Sequence, residues 1–236
     1  MFKAILEVVK FVEPDEIVHI GDLMDYPQPS RWTKGTREEF EGNIYSASEA
    51  AKKVILEPLR AVFDGPIGVH EGNHDMRPRL YLEKYAPALS QTDMLNFENL
   101  LDFDGFGITR LPDFYNVAAG WITTHGHLGG IRLNQNAGMT ALNGAKRIGK
   151  NIIMGHTHRA GVSSFTQGIE GQTNTITGVE VGHILNPKAV TYLRGASGNW
   201  QQGFALLEID KNNVTPRILP VLGNKVIVDG VVFPTR

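Results

Sequence analysis

Four times along the chain a short apolar run stops at a glycine flanked by Asp, Asn or His. EIVHI runs into GDLMD (Gly21 to Asp25), PIGVHE into GNHD (Gly72 to Asp75), GWITT into HGH (His125 to His127), and NIIM into GHTH (Gly155 to His158). Short apolar runs bounded by glycine read as buried strands entering loops. Helical patterns lie between them. Phe2, Ile5, Leu6, Val9 and Val12 share one face of a first helix that Pro14 closes. From Thr36, a long pattern puts Phe40, Ile44, Ala47, Ala51, Ile55, Leu59 and Val62 on one face, with a kink or split expected at Pro58. A further helix is expected from Asn136 to Lys150. Strands alternating with helices imply α/β layering. In such sheets ligands gather beyond the carboxyl ends of strands, so the four polar clusters are expected to converge.

The stretch from Arg79 to Asn116 reads as short helices with edge strands. Beyond Ala160 the chain turns β-rich in TITGVEV, GFALLEI, RILPVL and KVIVDGVVF, with turn signals at DGV and KNN. No repeat or linker interrupts it, so a single domain over 1–236 is expected, an α/β half followed by a mainly β half. The chain contains no cysteine, which excludes disulfides, thiol nucleophiles and thiolate metal sites. Its net charge is −2, which removes the electrostatic case for a broad nucleic-acid or acidic-membrane surface. No apolar run nears the roughly 18 residues of a membrane span. Glu7 and Lys10 break the first apolar stretch and no small-residue cleavage site follows, so a cytoplasmic protein without a signal peptide is expected.

Aspartate, asparagine and several histidines form the donor set of a borderline divalent cation, and the glycines let tight turns aim those donors at one point. Each motif alone is an ordinary turn or a packed histidine pair; their joint order points to a metal centre. GDxxD, GNHD, His-Gly-His and GHxH in this order resemble the calcineurin-like metallophosphoesterases, over Gly21 to His158. That resemblance implies an α/β fold in which a β-sandwich of two sheets is flanked by helices (αββα), with the β-rich tail as part of the second sheet. It also implies two divalent metal ions (Mn, Fe, Zn, Ni or Mg). Asp22 would bridge them, Asn73, His125 and His156 would hold one, and His158 the other. His74 would protonate the leaving group or stabilise the transition state, Asp75 would orient His74, and His127 would lie near substrate. Asp25 would cap the turn or orient a ligand.

The implied activity is metal-dependent hydrolysis of a phosphate ester by activated water, with a diester of nucleotide-like or other small character preferred. The resemblance departs at one motif. That family carries Asp-x-His on its first strand, and no Asp here has His two positions later. Residues 2–12 read as the helix after strand one, so that strand is expected upstream of Met1. Either the true start lies earlier or half a metal site is lost, and one site of the chain as given is expected to be impaired. The rival readings are a weak or inactive binding protein on the same fold, and another metal-assisted hydrolase such as an amidase.

The loop from Tyr26 offers Tyr26, Arg31, Trp32, Lys34 and Arg37 beside the expected metals, with Trp32 a stacking candidate for a base. Arg77, Arg79 and Arg159 follow ligand motifs and are candidates for phosphate. A small phosphoester, a nucleotide or a short nucleic acid is the expected partner. The bland reading leads for the remaining histidines. His19 is expected in a packed core and His70 in a structural role. His183 is expected to be structural, with cleft lining as the alternative.

Overall fold

Helix α1 (Phe2–Val12) forms over the residues its apolar spacing marks, and it buries Ala4, Val8 and Val9. It opens a computed structural model that describes residues 1–186, 198–211 and 213–235. The chain sorts into two compact units, Val9–Pro112, and Met1–Val8 with Asp113–Arg236. The sequence reading expects one domain; each unit is described in turn.

In Val9–Pro112, strands β1 (Ile17–His19), β2 (Ile67–Val69) and β3 (Ile108–Arg110) form a parallel sheet in that order. Ile17 pairs with Ile67, and Ile67 with Ile108. Central β2 is wholly buried, as the β-branched run in PIGV leads one to expect. The long helix expected from Thr36 is broken once. A first turn, α2 (Arg37–Phe40), stops before Gly42, whose φ is +94°. Asn43 then caps α3 (Ile44–Ala51) by accepting the Tyr45 N–H at 2.8 Å. Phe40 therefore leaves the apolar face and is 79% exposed. Pro58 neither ends nor splits the second half. A π-helical turn at Lys52–Leu56 precedes it and leads into α4 (Glu57–Arg60), which places the ring in an opening turn where its missing N–H costs little. The stretch after Arg79 is made of short elements, as expected: α5 (Arg77–Tyr85), α6 (Phe97–Leu100), α7 (Phe103–Phe106) and edge strand β3.

In the second unit, β4 (Tyr115–Ala118), β5 (Trp121–Thr124), β6 (Asn151–Met154), β7 (Ala160–Ile169) and β8 (Gln172–Val181) form a sheet ordered β4-β5-β6-β8-β7. β5, β6 and β8 run parallel, with β4 and β7 as antiparallel edges. Alternation along the strands separates two apolar faces. Ile122, Ile152 and Met154 pack with Ala141 and Ala145 of α8 (Met139–Ile148). Gly178 makes this approach close, because any Cβ there would overlap the backbone at Leu142. On the other face, Trp121, Ile153 and Val179 meet Leu207, Val214 and Ile218. Those residues belong to the antiparallel pair β9 (Gly203–Asp210) and β10 (Asn213–Pro220). β11 (Lys225–Val228) and β12 (Val231–Pro234) form a hairpin whose Asp229–Gly230 turn has both φ positive, as the DGV signal indicates. The KNN signal falls partly on Asn212, outside the described residues. The fold is thus mixed α/β with several sheets and helices. Among the described residues, no helix is long and apolar enough to cross a membrane.

Candidate functional site

In Val9–Pro112 the loops after β1 and β2 are tied together by carboxylates. His19 Nδ1 accepts the Gly21 N–H at 3.2 Å and so shapes the turn into GDLMD. The residue expected in a packed core is only half-buried, since its side chain works on the loop. His70, by contrast, is 1% exposed. Asp22 stands at φ +53°, a conformation Asp tolerates better than most residues. Its Oδ1 accepts the His74 N–H at 2.9 Å. Buried Asp75 accepts the Met24 N–H on Oδ1 and the Gly72 N–H on Oδ2, both at 2.8 Å. Gly72 has no alternative here, because a Cβ would overlap both the backbone nitrogen and the carboxylate of Asp22. Gly72→Ala is expected to lower stability by about 3 kcal/mol, as backbone overpacking does. Urea denaturation would measure this, and an unchanged midpoint would contradict the packing described.

His74 is oriented by a residue other than the one expected. Asp25, not Asp75, takes the ring, with Nδ1 to Oδ1 at 2.6 Å. Arg77 donates from Nη1 to the Asp25 carbonyl at 2.6 Å and to Oδ1 at 2.8 Å, and its Nη2 lies 3.3 Å from His74 Nε2. Arginine only donates, so Nε2 is the acceptor and Nδ1 carries the proton given to Asp25. The His74 hydrogen bond, reinforced by the Arg77 charge, holds the Asp25 carboxyl below its usual range against the opposing effect of partial burial. Asp75 is instead the clamp between loops. Burial pushes neighbouring Tyr26 up to about 12, with the Asp75 charge adding to it.

In the second unit the histidines fall at the ends of adjacent parallel strands. His125 and His127 follow β5; His156 and His158 follow β6. Ring centroids are 5.0 Å apart for His125 and His156, and 5.2 Å for His125 and His127. Two imidazoles on one tetrahedral ion, with metal–nitrogen bonds of about 2.0–2.1 Å, place their centroids roughly 5.2 Å apart. His125 and His156 also offer ring nitrogens within 4.8 Å of each other. The spacing fits a shared cation. Two non-glycine residues of GHTH, His156 (φ +63°) and His158 (φ +60°), adopt left-handed backbone, a strain of about 1–3 kcal/mol each that clusters at functional sites.

Glu180 holds this loop in place. Fully buried on β8, it accepts the Thr157 hydroxyl at 3.0 Å on Oε2, and the Thr140 and Ala141 N–H groups at 2.9 and 3.3 Å on Oε1. One carboxylate therefore supports the GHTH loop and caps α8, which explains why the helix starts at Met139 rather than Asn136. His183 follows β8, with its centroid 5.5 Å from that of His158, and Trp200 packs edge-on to His158 at 4.5 Å. Burial, with His158 beside it, pushes the His183 imidazole down to about 4.

No protein-family model matches the chain. It is similar to the Gene 54 protein of Mycobacterium phage D29, 55% identical over 232 residues that cover 98% of this chain and 91% of the relative. Similarity to the Gene 54 protein of Mycobacterium phage L5 is 53% identity over 232 residues, with the same coverage. The chain belongs to the Gene 54 protein family. In this Gene 54 family member, the loop expected to meet a base is largely occupied with itself. Tyr26 is buried and donates to Ser48 Oγ at 2.7 Å, since Ser48 gives its own proton to the Ile44 carbonyl. Lys34 bonds Glu39 and Tyr81, and Arg37 pairs with Glu41. Trp32 alone among the loop's aromatics faces out, 75% exposed, with the Arg31 guanidinium 4.6 Å from its ring centre. Arg79 binds Glu83 and the Thr92 and Ser90 carbonyls, so it is spent on structure rather than held for phosphate. Arg159 is half-buried, with its Nε buried and lacking a hydrogen-bond partner among the described residues. Sequence reasoning missed Glu180 and Trp200 and underrated Asp25. A lone acid inside the apolar strand TITGVEV was the available signal for Glu180; Trp200 had none.

Proposed function

We propose that this chain is a divalent-metal-dependent phosphoesterase of the calcineurin-like kind, acting on a phosphodiester of small or nucleotide-like character. One observation carries the reading: His125 and His156 meet at the ends of β5 and β6 with the ring spacing of shared metal ligands. The reading assigns metal ligation to Asp22, Asn73, His125, His156 and His158, and the nitrogen and oxygen donors suit borderline and hard cations alike. It also takes the sheets and flanking helices as the two-sheet sandwich of that family. When bound, divalent metal supplies Lewis-acid polarisation of the phosphoryl oxygens and activates water at neutral pH.

The chain's own groups do the rest. Asp25 fixes the His74 ring through Nδ1, and with Arg77 turned from Nε2 to the phosphoryl group and a second proton on the ring, His74 gives the Nε2 proton to the departing alkoxide. The Arg77 guanidinium, beside Nε2, is placed to take a phosphoryl oxygen. Trp32 offers an exposed ring to a base, and His127 and Arg159 complete the substrate-facing set. The rival reading is a weak or inactive binding protein on the same fold. Hydrolysis of bis(p-nitrophenyl) phosphate, p-nitrophenyl phosphate and a p-nitroanilide, each with Mn²⁺, separates the readings. We expect turnover of the diester, less of the monoester and none of the anilide. Anilide cleavage alone, or no phosphoester turnover by metal-loaded protein, overturns the proposal.

A further inference from the structure

We infer that His183 is a metal ligand, paired with His158 on a second cation. The inference rests on the phosphoesterase reading, which assigns His158 to that cation. Three observations carry it. First, the His158 and His183 ring centroids lie 5.5 Å apart with an interplanar angle of 52°, close to the roughly 5.2 Å of two imidazoles on one tetrahedral ion.

Second, both backbones are fixed by one hydrogen-bonded ladder. Gln201 N–H donates to the His158 carbonyl at 2.9 Å, His183 N–H to the Gln201 carbonyl at 3.2 Å, and Gly182 N–H to the Arg159 carbonyl at 2.7 Å. Trp200 lies against both rings, with centroids 4.5 Å from His158 and 6.0 Å from His183. Rings held on their backbones and braced by an indole form the preorganised pair that metal binding favours. Third, His183 Nδ1 is buried without a hydrogen-bond partner among the described residues. Buried polar atoms are rarely left so, and a cation would satisfy it. An ordinary packed histidine would bury apolar ring atoms and bond its buried nitrogen, and the Nδ1 of this one has no such partner among the described residues.

The test is Mn²⁺ binding by equilibrium dialysis with elemental analysis, on the parent chain, His183→Phe, His183→Ala and His158→Ala. Phenylalanine keeps the aromatic packing against Trp200 and His158 but cannot ligate, and thermal melting checks that each variant folds. We expect about two Mn²⁺ per parent chain. Each single variant should weaken one of the two by at least about 100-fold and spare the other, and the His158→Ala/His183→Phe double variant should lose no more than either alone. A folded His183→Phe chain that binds as much Mn²⁺ as the parent overturns the inference and leaves the phosphoesterase reading standing. A parent chain that binds no Mn²⁺ overturns both.

Discussion

His74→Ala lowers kcat for a phosphodiester by about 10²–10⁴-fold, the range of a lost general acid, and leaves bound metal as it was. The expectation follows from how the ring is held. Asp25 takes Nδ1 at 2.6 Å and Arg77 reaches Nε2 at 3.3 Å, so both ring nitrogens are engaged by side chains to which we assign proton transfer and phosphate contact. The residue's backbone N–H, which alanine keeps, is the group that bonds Asp22. Removing the imidazole therefore removes the acid while the Asp22 turn survives. Elemental analysis beside steady-state kinetics checks both halves. Metal lost in step with activity would show that His74 ligates, contrary to its assigned role.

The second large effect runs the other way. Replacing His156 should weaken metal binding by more than about 100-fold and take turnover with it. The choice of substitution matters, because His156 sits at φ +63° and a poorly chosen side chain would disturb the loop. His156→Asn keeps a residue tolerant of left-handed backbone while withdrawing the imidazole. The variant should melt near the parent temperature yet bind less Mn²⁺. Full metal retention by a folded His156→Asn chain would remove His156 from the ligand set.

The strand-end motifs were legible because each couples a local backbone need to a polar donor. A glycine after an apolar run marks the strand's end, and the histidine or aspartate beside it then projects from the loop. Helix α1 was legible for a similar reason, since its face is written in residues three and four apart. What escaped was long-range. The resemblance implied Asp75 as the partner of the His74 ring, whereas Asp25 reaches that ring from 49 residues away. The expected Thr36 helix failed at Gly42, where a backbone at φ +94° outweighs an apolar pattern that continues across it. The start of α8 escaped because its cap is Glu180, some 40 residues downstream. Tyr26 escaped because a polar loop gives no sign that one of its aromatics turns inward to Ser48.

Metal dependence tests the central claim most directly. The protein is stripped with chelator until elemental analysis finds no transition metal, then assayed on bis(p-nitrophenyl) phosphate before and after Mn²⁺ is added back. Our account predicts negligible turnover in the stripped protein and restoration that tracks the amount of Mn²⁺ bound. Phosphodiester turnover that persists in verified metal-free protein would contradict it.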